Sequence, residues 1–182
     1  MNNPQKLNRQ ELKDNVYLEV AHNISKLSKD ENTQIGAVIV TKEGAPVSWG
    51  YNGTVSGFRD DVIPHSREEK KLRYMEDYKY VDLQENKYPF MCHAEENALD
   101  FANNDKLKGA TIYVTAMPCG ICARQIAKKK LARVVVSPTP KNIAENSIVG
   151  RDDILVKFIF AEARISLFIG NKEIFLDKDE LL

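Results

Sequence analysis

Two short motifs, His93-Ala94-Glu95 and Pro118-Cys119-Gly120-Ile121-Cys122, constrain this chain more than any other feature. Between them they offer one imidazole, two thiolates and a carboxylate. Zinc is satisfied by nitrogen and sulfur ligands, and a catalytic zinc takes three from the protein and leaves its fourth position to water. The apolar patterning starts one helix at His93, running to Ala102, and another at Cys119, running to Lys130. The fold must therefore bring two helix starts to one point. Residues i and i+2 face different sides of a continuous helix. His93 and Glu95 can thus converge only at a helix end, with the site lying beyond the terminus.

The chemistry follows from the residue types. A helix N-terminus carries partial positive charge and lowers thiol pKa, which favours Cys119 and Cys122 as thiolate ligands. Glu95, beside the metal but not needed as a ligand, can move protons to and from a metal-activated water. His-x-Glu followed by Pro-Cys-x-x-Cys is the signature of zinc-dependent base deaminases. Two other readings exist for the cysteine pair. A redox Cys-x-x-Cys of thioredoxin type usually follows the first strand of its domain, and a closed structural zinc site wants a fourth ligand. Cys92 reads as a buried apolar cysteine, and His22 and His65 as surface or packing histidines.

The remaining sequence describes an α/β chain. With 182 residues, it has the length of one well-buried domain, expected to span 1–182 with a short extra strand and tail in 171–182. Residues 11–27 read as an amphipathic helix with Leu12, Val16, Val20, Ile24 and Leu27 on its apolar stripe. Strands are expected at 35–40 and 46–51, joined by a turn at Gly44, then at 110–115, 132–137, 164–169 and 173–176. A helix is expected at 151–163 and another within 66–80, with 52–57 and 138–146 as loops. Lys+Arg and Asp+Glu both number 26, so the formal net charge is zero, which argues against a general nucleic-acid binder and leaves room for a local phosphate pocket. No apolar run reaches the length needed to span a bilayer, and the first residues lack the apolar core of a secretory signal. The three cysteines, an odd number, fit a reducing compartment; the expected location is cytoplasmic, the host's cytoplasm for a viral source.

Several stretches carry a resemblance. Ser28-Lys-Asp-Glu-Asn-Thr-Gln-Ile-Gly-Ala-Val-Ile-Val40, Gly50-Tyr-Asn-Gly53, Asp60-Asp61, Lys87 to Leu99 and Gly109 to Arg124 together resemble the deoxycytidylate (dCMP) deaminase family of the cytidine deaminase superfamily. The resemblance implies a three-layer α/β/α fold around a five-stranded mixed sheet, with zinc held by His93, Cys119 and Cys122 and protons moved by Glu95. It implies that Asn52 contacts the sugar or base and that the backbone at Ala94 meets the pyrimidine carbonyl. It further implies a homo-oligomer, commonly a hexamer, activated by dCTP and inhibited by dTTP with magnesium accompanying the effector. The effector region would include Lys29, Asn52 and Asp60. On charge grounds Arg59 and Arg124 are candidate phosphate contacts.

The sequence also departs from the family pattern. Met117 replaces a phenylalanine, Gly120-Ile121 an Asn-Glu pair, Thr54-Val55 a proline-bearing turn, and Ser137-Pro-Thr-Pro140 a segment that usually holds a tyrosine at the nucleotide site. The expected activity is hydrolysis of dCMP to dUMP and ammonia. The alternatives are another amino-bearing base (in a nucleoside, a modified cytosine nucleotide, guanine or a tRNA adenosine) and a non-catalytic, zinc-binding regulatory module. Balanced charge weighs against tRNA.

Overall fold

A computed structural model describes residues 8–59, 88–139 and 151–174. The strands β1 (Gly36–Val40), β2 (Pro46–Tyr51), β5 (Thr111–Val114), β6 (Arg133–Val136), β7 (Ser166–Ile169) and β8 (Lys172–Ile174) form one sheet in the order β2-β1-β5-β6-β7-β8. β5, β6 and β7 run parallel; β1 is antiparallel to both β2 and β5, and β8 is antiparallel to β7. The sheet is mixed, as expected, but has six strands rather than five. The additional strand is β8, the short extra strand foreseen near the C-terminus. A separate two-stranded ribbon pairs β3 (Gly53–Thr54), in the stretch 52–57 expected to be loop, with β4 (Met91–Cys92). The helix expected within 66–80 lies outside the described residues.

Continuous apolar strands bury both faces of their sheet, and the side chains here divide by alternation. Ala37, Ile39, Ile112, Val114, Val134, Val136 and Leu167 pack on one face against α2 (Ala94–Asp100), α3 (Gly120–Lys128) and α4 (Arg151–Ala163). Val38, Val40, Tyr113 and Val135 pack on the other against Leu18 and Ala21 of α1 (Arg9–Ser25). The result is an α/β/α sandwich. Among the described residues no helix is long and apolar enough to cross a membrane.

The orientation of α1 differs from the expected one. Leu12, Val16, Val20 and Leu27 are 50%, 47%, 38% and 52% exposed, whereas Asp14, Leu18, Ala21 and Ser25 are buried. Two contacts set this rotation. Asp14 is held from the sheet by Arg133, whose guanidinium donates to both carboxylate oxygens at 2.7 and 2.6 Å, and by the Tyr113 hydroxyl at 2.9 Å. Ala21 sits directly over Gly36, where a Cβ would fall 2.0 Å from the Ala21 carbonyl oxygen. A charged anchor and a small-residue contact therefore override the apolar stripe. The helix start is fixed by a capping box: the Asn8 side chain accepts from the Gln10 and Glu11 amides, and Glu11 accepts from the Asn8 amide.

A second close approach docks α2. A Cβ on Gly50 would lie 2.3 Å from the Ala94 carbonyl oxygen and 2.5 Å from the Ala98 amide nitrogen. The Ser48 hydroxyl donates to the Ala98 carbonyl at 2.6 Å, and the Asn97 carboxamide donates to the Tyr51 carbonyl at 2.8 Å. Helix and strand thus meet backbone to backbone. Gly50→Ala is expected to destabilise the fold by about 1–3 kcal/mol through overpacking, read as a lowered urea midpoint.

Candidate active site

The two motifs meet at the starts of α2 and α3. His93 is the N-cap of α2 with extended backbone (φ −79°, ψ 155°), and Cys119 is the N-cap of α3, also extended (φ −78°, ψ 170°). Since His93 precedes the first helical residue and Glu95 lies within the helix, the i, i+2 separation does not force them apart. Glu96 steadies this start by accepting the His93 backbone N–H at 3.3 Å. Cys122 lies in the first turn of α3 (Gly120–Lys128). At Gly120, where the family pattern has asparagine, a Cβ would approach the end of the exposed Leu155 side chain of α4 at 2.9 Å.

His93 Nδ1 lies 3.4 Å from Cys119 Sγ and 3.3 Å from Cys122 Sγ. The three ligand atoms fall within 4.8 Å of one another. A tetrahedral zinc, with bonds of about 2.0–2.1 Å to nitrogen and about 2.3 Å to sulfur, separates those atoms by about 3.6 Å. The donor set and spacing fit zinc. The Cys122 thiol and the His93 imidazole stabilise a thiolate at Cys119, lowering its pKa to about 3. Cys122, buried beside that thiolate, is pushed up, and the bond to Cys119 raises His93. Cys92 is half-buried and outside the cluster; desolvation raises its thiol.

Glu95 is 4% exposed, and burial pushes its carboxyl above the usual range. It lines a cleft of about 200 Å³ together with His93, Ala94, Cys119 and Asn52. The β3–β4 ribbon brings Asn52 there: Gly53 pairs with Cys92, so the residues just before and just after the ribbon are neighbours. Asn52 is 8% exposed. Its Oδ1 accepts the Ile35 amide at 2.7 Å, and its Nδ2 donates to the Thr33 carbonyl at 2.9 Å and to Asp30 Oδ2 at 3.4 Å.

The other predicted contacts separate from the cleft. Lys29, Arg59 and Arg124 are exposed and do not line it, while Asp60 and His65 lie outside the described residues. His22 is on the exposed side of α1, with Nε2 2.7 Å from the Ser137 hydroxyl. Sequence reasoning passed over Asp30, Thr33, Tyr88, Met91 and Met117 as cleft residues. For Asp30 a signal existed: an aspartate followed by Glu-Asn-Thr in a polar break is a turn former. Its Oδ1 accepts the Asn32 and Thr33 amides at 2.8 and 2.9 Å.

Comparison with known proteins points the same way. Residues 12–138 match the family model for the cytidine and deoxycytidylate deaminase zinc-binding region. Deoxycytidylate deaminase from Homo sapiens is 38% identical over 120 residues, 65% of this chain and 61% of that protein. The enzyme of the same name from Mus musculus is 34% identical over 136 residues, 74% of this chain and 70% of that one. The chain thus spans about 61% of the length of the human relative. The crystal structure of dCMP deaminase from the cyanophage S-TIM5, in apo form, shares the fold with a TM-score of 0.60 at 22% identity, covering 90% of this chain and 99% of that chain. Both motifs fall inside the matched residues and converge on one cleft, and the chain belongs to the cytidine and deoxycytidylate deaminase family.

Proposed function

We propose that this chain hydrolyses dCMP to dUMP and ammonia, with zinc held by His93, Cys119 and Cys122 and with Glu95 moving the protons. The observation that carries the reading is the placement of Glu95, a buried carboxylate that lines the same cleft as His93 and Cys119 without belonging to the three-ligand cluster. Zinc, when bound, supplies a water whose pKa is lowered towards neutrality. A raised carboxyl pKa suits Glu95 to both halves of the reaction, since a group that accepts and returns a proton works best near the operating pH. Glu95 takes a proton from the attacking water and passes it to cytosine N3 as the bond from oxygen to C4 forms. It then delivers the second proton to the amino group as the C4–N bond breaks. Water and dCMP are consumed, and dUMP and ammonia are produced. The Ala94 N–H, in the first turn of α2, has no intrahelical acceptor and is the donor assigned to the pyrimidine carbonyl.

The choice of a deoxycytidine nucleotide is supported by the names of the relatives, which are deoxycytidylate deaminases. Hexamer assembly, activation by dCTP with magnesium and inhibition by dTTP belong to the same proposal and are supported by the resemblance. Light scattering and rates with and without each nucleotide test them. The substrate assignment is tested by ammonia release from zinc-loaded protein given dCMP, deoxycytidine, dCTP or guanine. The highest kcat/KM is expected for dCMP. Turnover of another base with none of dCMP would overturn the assignment.

A further inference from the structure

The cleft is built on separate elements. The start of α2 brings His93, Ala94 and Glu95 to it, and the end of β2 brings Asn52, the residue after Tyr51. Side-chain hydrogen bonds join these two elements at different places. The Asn97 carboxamide donates to the Tyr51 carbonyl at 2.8 Å, and the Ser48 hydroxyl donates to the Ala98 carbonyl at 2.6 Å. The first bond adjoins the cleft. Tyr51 is one peptide from Asn52, and the Asn97 amide donates to the His93 carbonyl at 3.0 Å, which places Asn97 one helical turn from a metal ligand. The second bond lies further back along β2. The strand explains why Tyr51 needs a partner there. Asn52 donates its amide to the Ile35 carbonyl, toward the start of β1. Backbone groups of successive residues in a strand point to opposite edges, so the Tyr51 carbonyl points away from β1. β2 is the outer strand, and no further strand supplies a donor. A half-buried carbonyl in that position calls for a side chain, and Asn97 provides it.

We infer that Asn97 is a positioning residue for the reaction: its bond to the Tyr51 carbonyl aligns the turn that carries His93 and Glu95 with the end of β2. The inference rests on the proposed deamination of dCMP. Asn97 does not line the cleft and is not one of the three metal-ligating residues. It acts through main chain at both ends, on the Tyr51–Asn52 peptide and on the first turn of α2. The close approach at Gly50 stops α2 from moving nearer to β2. Steric contact of that kind leaves the helix free to slide or to turn about its axis, whereas a hydrogen bond is directional and resists both. A displacement of about 1 Å at a reacting group costs about 10²-fold in rate. The alignment therefore acts on kcat, through the placement of Glu95 against the amino-bearing carbon.

The test measures zinc content, urea midpoint, kcat and KM for dCMP with zinc-loaded wild type, Asn97→Leu, Asn97→Asp and Ser48→Ala. The two Asn97 variants keep the branching of the side chain and differ from each other in polarity and charge. What they share is loss of the N–H donor. Both are expected to retain zinc and to lower kcat by about 10²-fold, with a much smaller change in KM. Ser48→Ala removes the other bond between the same two elements. It is expected to lower the urea midpoint and to leave kcat at the wild-type value. A role confined to packing makes the opposite forecast, because a side chain of the same shape would then preserve kcat. Wild-type kcat in either Asn97 variant, or a loss in Ser48→Ala as large as theirs, would overturn the inference and leave the deamination standing. Failure of both Asn97 variants to fold would also overturn it, since the bond would then serve the fold as a whole. Zinc-loaded wild type without dCMP turnover would remove both the inference and the reading beneath it.

Discussion

Glu95→Gln is expected to lower kcat by about 10²–10⁴-fold, the range typical for removing a positioned proton-transfer group, with one zinc per chain retained. The substitution keeps the shape and burial of the side chain and removes only its capacity to take up and return a proton. The loss corresponds to about 3–5 kcal/mol of transition-state stabilisation. Thermal stability should hold or rise slightly, because a carboxyl that is 4% exposed and disfavoured by burial is replaced by a neutral group. Metal analysis and steady-state rates on the same sample distinguish the outcomes. Normal turnover would refute the assigned role, and loss of zinc together with activity would make Glu95 a ligand.

The second large effect concerns the fold. Asp14→Ala removes a carboxylate that is 2% exposed and leaves Arg133, 17% exposed, without its bidentate partner. Breaking a buried ion pair from one side costs about 3–5 kcal/mol. Replacing both partners with apolar residues, Asp14→Leu with Arg133→Met, is expected to cost much less than either single change, since no buried charge is left unpaired. Arg133 also stacks over the Phe168 ring at 4.0 Å, so its truncation loses packing as well as charge. Desolvation pushes the Asp14 carboxyl upward, but the bonds from Arg133, Gln10 and Tyr113 outweigh it and leave the pKa below its ordinary value of 3.8. The sign follows from linkage. A carboxyl depressed in the folded state stabilises above its unfolded pKa, and the contribution is lost as pH falls through the folded value. Urea midpoints of wild type and Asp14→Ala should therefore stay a constant distance apart at neutral pH and converge in strong acid. A gap independent of pH down to full protonation would show that the ion pair does not carry the effect.

The site was more legible than the packing around it. His93, Glu95, Cys119 and Cys122 were readable because metal chemistry demands particular atoms at particular spacings, and the requirement that His93 lie at a helix end follows from geometry alone. The strands were readable because a sheet covered on both faces needs unbroken apolar runs, as in Gly36–Val40. The rotation of α1 was not readable. Its apolar stripe is a local pattern, whereas its orientation depends on Asp14 finding Arg133 and Tyr113, far along the chain. The cleft wall was partly hidden for a related reason. Asp30 looks like an ordinary turn aspartate, and only the pairing of β3 with β4 shows that Asn52 beside it lines the same cleft as His93 and Cys119. Charge alone proposed Arg59 and Arg124, and both turn out to be exposed and outside the cleft.

The contact at Gly50 bears on how such a protein can change over generations. Related proteins commonly drift in shape when core side chains change volume and the helices resting on them move. At Gly50 the main chain of β2 meets the main chain of the Ala94–Ala98 turn of α2, with the Asn97 Cβ beside it. α1 is docked on β1 in the same way at Gly36, so changes of core side-chain volume have least purchase on these two helices and most on α4, which meets the sheet through Val156 and Phe160. Two positions that admit nothing larger than a hydrogen atom hold the helix bearing Glu95 and the helix on the opposite face in register with the strands between them.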